Sequence, residues 1–185
     1  VCSSDLIIVD ETGGHHVSYS AIDKGPTGNA EYAKQQIRSD SDYKLADPSL
    51  LHGFEEYEDG VTLQILTVFP AMIVQQIQIA IAIRQVIPRG PDRTDLNWIY
   101  LGFEEDTPDE RMARLKQANL VGPAGYISME DGCVGGFVQT AAKADPDAMT
   151  VMPMGGRGIE PSAGSRVTES AVRGFWNGWR DCMKI

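Results

Sequence analysis

Basic residues are scarce in this chain of 185 residues. Sixteen Lys and Arg stand against 26 Asp and Glu, for a net charge of −10. Phosphate binding needs a basic face, so the balance argues against nucleic acid as a partner. It argues equally against an anionic membrane surface. Long apolar runs are missing too: none approaches the ~20 residues needed to span a bilayer. No charged segment followed by an apolar core marks a secretory signal. Cysteine is sparse, with Cys2, Cys133 and Cys182 widely spaced and odd in number. Without a Cys-x-x-Cys pair, neither a zinc ribbon nor a thioredoxin-type site is available, and a reducing cytoplasmic setting is expected. The three histidines are His15, His16 and His52. Neighbouring residues on a strand point to opposite faces, so His15 and His16 are poorly placed to share one metal. There is no internal repeat and no low-complexity tract.

What is present is ordinary globular material, 42% apolar and 23% charged, enough for one domain with a sizeable core. The first residue is Val1, not Met. Val-Cys-Ser-Ser-Asp-Leu also matches one reading frame of a common sequencing adapter. Residues 1–6 are therefore expected to be non-native, with the gene cut upstream and residues 7–185 forming a partial domain.

Residues 6–20 read as a hairpin turning at Thr12-Gly13-Gly14. Residues 23–60 are polar, acidic and irregular, with a short helix expected at 30–37; so long a connection is often a cover. Three strands are expected over 61–69, 76–86 and 94–103. The middle one carries Gln-Ile-Gln-Ile-Ala-Ile-Ala-Ile, whose period of two puts Ile77, Ile79, Ile81 and Ile83 on one face. Gln76, Gln78, Ala80 and Ala82 take the other.

Thr107-Pro108-Asp109-Glu110 is a capping box with proline at the first helical position, opening a helix to about Val121. Gly122-Pro123 stops it and starts another. Residues 143–166 read as loop, with a short strand expected at 149–152 and a turn at Met154–Gly158. A last helix is expected over 168–183, its apolar stripe of Val172, Phe175, Trp176, Trp179 and Met183 docked on the sheet. The order implies an α+β fold, an antiparallel sheet with helices on one side.

On the second helix Ile127, Asp131, Val134 and Val138 share a stripe. Asp131 thus interrupts an apolar face, while Glu130 points about 100° away, toward solvent. A buried, unpaired carboxylate costs several kcal/mol and needs a basic side chain, backbone donors or a metal. Spacing alone favours a structural acid or ion-pair member. Gly132, Gly135 and Gly136 each cost about 1 kcal/mol relative to Ala inside a helix. They suggest a helix pressed tightly on a neighbour or locally distorted.

The segment LVGPAGYISMEDGCVGGFVQ (120–139) resembles the part of Rieske non-heme iron aromatic-ring-hydroxylating oxygenase α subunits that carries their iron-binding aspartate. In that family the aspartate follows the last glycine of Gly-Pro-Ala-Gly by six residues; counting from Gly125 reaches Asp131. IRQVIPRGPDRTDLNWIYLGFEEDTPDERMARLKQANLVGPAG, SRVTESAVRGFWNGWRDCM and VDETGGHHVSYS are similar to further family segments in the same order. The resemblance covers most of 7–185 and implies the C-terminal part of a catalytic domain. Its fold would be a curved antiparallel sheet gripping a long helix (helix-grip, START-like).

The resemblance further implies a mononuclear Fe(II) held by two histidines and Asp131 with open positions for O₂. Electrons would come from a [2Fe–2S] Rieske cluster with two Cys and two His ligands. The implied partners are a β subunit, a ferredoxin and/or reductase, and an aromatic substrate, in a hetero-oligomer. The family's histidine pair, its Rieske motifs and the acid linking its metal centres are absent from these residues. Alone, the chain is expected neither to hold iron well nor to turn over. Candidate pocket residues are Ile127, then Ala80 and Ala82, or Ile79 and Ile81 if the other sheet face lines the pocket; ordinary core packing is the alternative for each. The chain looks most similar to members acting on aromatic carboxylates, for which Arg84 or Arg157 would supply a paired contact. Two readings from other classes are a metal-free hydrophobic-ligand carrier of the same fold and a plain interaction domain supported by the acidic stretch 39–59. Only the oxygenase requires a histidine pair upstream of residue 7.

Overall fold

The structure is a computed structural model, and it describes residues 6–11, 14–21, 46–57, 59–163 and 167–185. The helix expected at 30–37 lies outside these residues, as do residues 1–5 and much of the acidic stretch.

Alternating β-branched residues build a sheet of seven strands, every ladder antiparallel. The strands are β1 (Leu6–Val9), β2 (His16–Ala21), β3 (Val61–Val68), β4 (Met72–Ile77), β5 (Ala80–Pro88), β6 (Thr94–Leu101) and β7 (Ser162–Ala163). Their order is β6-β5-β4-β3-β2-β1-β7. Helices α1 (Pro108–Val121), α2 (Ser128–Ala144) and α3 (Ser170–Met183) follow the sheet strands, with β7 between α2 and α3. The fold class is the α+β arrangement expected.

The strand expected over 76–86 is two strands. The chain reverses at Gln78-Ile79, so Ile77 pairs with Ala80 across a two-residue turn. Gln78 sits at φ 52°, in the left-handed region that asparagine and glycine favour and glutamine rarely enters. It is held there from outside the turn. Its amide donates to the Thr62 carbonyl at 2.6 Å, and its side-chain oxygen accepts from Gln117 Nε2 at 2.6 Å. Gln117 Oε1 in turn accepts from the Ile79 and Ala80 amides at 2.7 and 2.9 Å. A helix that lies some forty residues downstream thus supplies the turn chemistry the local sequence lacks.

The register places whole rows of side chains on one face. Val9, His16, Thr67, Ile73, Arg84 and Trp98 are successive cross-strand partners; so are Ile7, Ser18, Ile65, Gln75, Ala82 and Tyr100. Residues two apart share a face, so both rows look the same way. α3 covers the β1 end of this inner face through its small residues. Ser170, Gly174 and Gly178 are its buried positions, and a Cβ on Gly174 would run into the Val9 side chain. Gly14, at φ +73° in the β1–β2 turn, abuts Gly178. The aromatic stripe lies alongside rather than beneath: Phe175 meets Phe69 edge-on at 5.2 Å, while Trp176 and Val172 stay partly exposed. The expected burial of that stripe is corrected accordingly; the helix approaches on glycines, and large side chains flank the contact.

The capping box at Thr107 forms as expected, Thr107 accepting from the Glu110 amide and Glu110 from the Thr107 amide. α2 starts at Ser128, later than Pro123 suggested, because residues 122–127 form a turn closed by Ile127 N donating to Leu120 O. Residues 149–152 form no strand, and residues 154–158 are a turn as expected.

Candidate functional site

The inner face carries polar groups that its own fold does not use. Arg84 projects from β5 in register with Trp98 on β6, and its guanidinium lies 4.9 Å from the indole centre. Trp98 stacks on Tyr100 at 6.0 Å and 28°. Arg84 is half-buried, and its Nε has no hydrogen-bond partner among the described residues. Burial lowers its pKa, an effect the Asp131 carboxylate and Tyr100 oppose. An arginine stays protonated regardless. A half-buried guanidinium over an indole, with its Nε unspent among the described residues, has the donor geometry that suits a planar anion. Burial likewise raises the Tyr100 pKa, with Arg84 pulling it back. His16 Nδ1 and both amide atoms of Gln75 are also buried without partners on this face. Desolvation lowers the His16 pKa, partly offset by the nearby Gly14 backbone. His15 points elsewhere, its Nδ1 accepting from the Phe69 amide at 3.0 Å.

Asp131 is in the first turn of α2, where a carboxylate also favours the helix dipole. It is exposed, and it faces Arg84 closely enough to influence it without forming an ion pair. Two contacts orient α2 over the β5–β6 hairpin: Lys143 Nζ lies 2.8 Å from Asp92 Oδ1, and Gln139 donates to the Pro91 carbonyl at 3.4 Å. At the other end Ser128 Oγ donates to Val121 O at 2.7 Å.

The buried apolar stripe expected around Asp131 is not closed within the described residues. No residue of α2 is buried; Ile127, Val134, Phe137 and Val138 are all exposed, Phe137 to 73%. A Cβ added at Gly132, Gly135 or Gly136 would meet nothing within 4 Å. The close approach inferred from these glycines is therefore corrected: no described residue makes it.

The other candidates separate cleanly. Ala80 and Ala82 are buried on the inner face beside Arg84. Ile81 points to the opposite face, in register with Gln76 and Leu101. Ile79 is buried in the turn under α1. Ala80 and Ile81 also border a cleft of about 360 Å³ with Tyr100, Arg114, Leu115 and Ala118. That cleft is floored by an ion cluster in which Arg114 grips Glu56 at 2.7 Å and Asp106 at 2.8 Å; Asp131 does not line it. Of the two candidate arginines, Arg84 lies on the inner face and Arg157 in the exposed turn. Gln75, Trp98 and Tyr100 escaped notice in the sequence. Their signal, polar and aromatic residues in two adjacent cross-strand rows, is readable only once the hairpin at Gln78 is known.

An iron ion needs several converging donors. Among the described residues no group of three or more His, Cys, Asp or Glu comes together. The residues present account for at most one ligand, Asp131, and do not by themselves fit a closed iron site. No described helix is long and apolar enough to cross a membrane; Cys133 and Cys182 are free and exposed.

No protein-family model matches the chain. Individual proteins do. It is 56% identical over 178 residues to the terephthalate 1,2-dioxygenase terminal oxygenase component subunit alpha 2 of Comamonas sp., covering 96% of this chain and 43% of that protein. It is 40% identical to the anthranilate 1,2-dioxygenase large subunit of Burkholderia cepacia, over 95% of this chain and 42% of the relative. It is 38% identical to the large oxygenase component of salicylate 5-hydroxylase from Ralstonia sp., over 76% of this chain and 33% of the relative. The chain thus spans less than half the length of these curated relatives. The crystal structure of naphthalene 1,2-dioxygenase from Rhodococcus sp. bound to indole has the same fold, with a TM-score of 0.68 at 14% identity, over 96% of this chain and 44% of that one. With its helix-over-sheet architecture and these sequence matches, the chain belongs to the family of aromatic-ring-hydroxylating oxygenase α subunits.

Proposed function

We propose that this chain is the substrate-facing half of a catalytic domain whose intact protein hydroxylates an aromatic carboxylate with O₂. The observation that carries the reading is Arg84: a half-buried guanidinium, 4.9 Å from the Trp98 ring centre, with an Nε unspent among the described residues and the Asp131 carboxylate near it. An aromatic acid would set its carboxylate on Arg84 and its ring toward Asp131, over the small side chains of Ala80 and Ala82. The related proteins named for terephthalate, anthranilate and salicylate support that substrate class.

In this reading Asp131 is one ligand of a mononuclear Fe(II). The histidine pair and the [2Fe–2S] Rieske domain belong to sequence outside this chain, and the apolar surface that covers α2 lies outside the described residues. A β subunit and a ferredoxin and/or reductase complete a cytoplasmic hetero-oligomer. The exposed apolar residues and open glycines of α2 support this: a helix with Phe137 and Val138 in water is awaiting a neighbour.

The test is substrate competition in the intact oxygenase component. Arg84→Met is expected to raise KM for benzoate-type acids by about a hundredfold while sparing neutral aromatics, as loss of a charge-assisted pair requires. An unchanged KM for acids would remove Arg84 from the site and the carboxylate from the substrate.

A further inference from the structure

Among the described residues three glutamines are buried, and two are accounted for. Gln117, 1% exposed, uses its oxygen on the Ile79 and Ala80 amides and its nitrogen on Gln78. Gln76, on the outer face, donates to the Gln78 carbonyl at 3.1 Å. Gln75 is also 1% exposed, yet neither Nε2 nor Oε1 has a partner among the described residues. Leaving a buried amide unsatisfied is costly, and a glutamine serving only as core would be better replaced by Leu or Met. Its place is informative. Gln75 is in register with Ala82, one row from Arg84, and both look onto the inner face. Ala82 is too small to screen one from the other, and diagonal neighbours on one face lie about 7–8 Å apart.

We propose that Gln75 is a specificity residue that reads the ring substituent next to the substrate's carboxylate. The inference rests on the reading of Arg84 as the carboxylate receptor. A guanidinium offers donors only. Gln75 adds a donor, Nε2–H, and an acceptor, Oε1, at fixed spacing. A bare carboxylate satisfies Arg84 and Nε2 but leaves Oε1 stranded. A benzoate with an adjacent hydroxyl or amino group satisfies all three: its carboxylate takes Arg84 and Nε2, and its O–H or N–H donates to Oε1. The site therefore favours ortho-hydroxy or ortho-amino benzoates over benzoate itself.

The experiment is equilibrium binding of benzoate, 2-hydroxybenzoate and 2-aminobenzoate to the intact oxygenase component and two variants. The wild type is expected to bind the ortho-substituted acids about tenfold tighter than benzoate, the worth of one desolvated hydrogen bond. Gln75→Met should bring that ratio close to one, weakening benzoate about tenfold through loss of Nε2 and the ortho-substituted acids about a hundredfold through loss of Nε2 and Oε1. It should also raise the melting temperature without ligand, since an orphaned amide has been replaced by a near-isosteric apolar group. Arg84→Met should weaken all three acids together. If Gln75→Met keeps the tenfold ratio while Arg84→Met weakens every acid, Gln75 is not the reader and the carboxylate receptor stands. If Arg84→Met changes no acid's affinity, the receptor reading itself fails. A wild type that prefers benzoate overturns the assignment of Oε1, and a lowered melting temperature in Gln75→Met makes the residue structural.

Discussion

Helices α1 and α2 follow one another in the chain and could hardly be more differently held. α1 is locked to the β4–β5 turn and to residues 53–57. Gln117 satisfies two turn amides. Arg114 makes paired contacts to both Glu56 and Asp106 and donates to the Ile79 carbonyl. Phe54 and Phe103 lie 5.2 and 5.1 Å from its guanidinium. Among the described residues, α2 buries nothing, faces open space at three glycines, and carries a carboxylate, Asp131, that acts on Arg84. One helix belongs to a finished structure, and the other presents a surface. Polar groups around the first are spent on the fold; those on the inner face near the second are unspent. That contrast separates stability from function in this chain better than burial alone does.

Breaking the finished side should cost most. Arg114→Met strands two carboxylates, Glu56 and Asp106, that are nearly inaccessible, and removal of one partner from a buried pair is strongly destabilising. It should give the largest fall in melting temperature of any single change here. The same variant has a pH signature. Hydrogen bonding to Arg114 lowers the Asp106 pKa below that of the unfolded chain, about 3.9. The stabilisation is therefore present above the unfolded value and lost as pH falls through the folded one. Melting temperature against pH should be steep below about pH 4–5 in the wild type and flatter in Arg114→Met. Equal slopes would show that the pair contributes nothing through Asp106.

Gln117→Leu should come next. It strands the Ile79 and Ala80 amides at about 1–3 kcal/mol each and frees Gln78 from its left-handed turn. Denaturant titration reads the loss, and a cost below about 0.5 kcal/mol would mean the turn holds itself. Gly174→Val tests the remaining docked helix. The added side chain meets Val9, and overpacking of this kind costs about 1–3 kcal/mol.

The smallest effect sharpens the comparison most. Gly135→Ala on α2 meets no described residue within 4 Å and should stabilise the chain by about 0.5–1 kcal/mol through helix propensity. In the intact protein, where α2 is proposed to be covered, the same change should be neutral or destabilising. The same sign in both would leave α2 uncovered in either context.

Local signals carried much of this fold. The capping box at Thr107, the hairpin at residues 6–20 and the strand at 61–68 were all readable, because each rests on chemistry within a few residues. The Gln78 turn was not. Its alternation of Gln and Ile is a strand pattern without turn residues, and only Gln117, far along the chain, supplies what the reversal needs. α3 docks on the sheet as expected, but through a different face from the apolar stripe, for a related reason. Periodicity marks large apolar residues, yet Gly174 and Gly178 let the backbone approach and so decide which side faces the sheet. As an iron ligand Asp131 stands out in the sequence only through the resemblance of 120–139 to a family segment, while the place of Gln75 depends on a cross-strand row. The buried setting expected for Asp131 needs surfaces that the described residues do not supply.

The most direct test is metal content in the intact α subunit, wild type beside Asp131→Ala, with the Rieske absorption spectrum as internal control for folding. Mononuclear iron should fall from about one per subunit, as a single facial site would hold, to near zero with the Rieske spectrum unchanged. Full retention of that iron in Asp131→Ala would contradict the assignment of this face as the metal-bearing side of an oxygenase site.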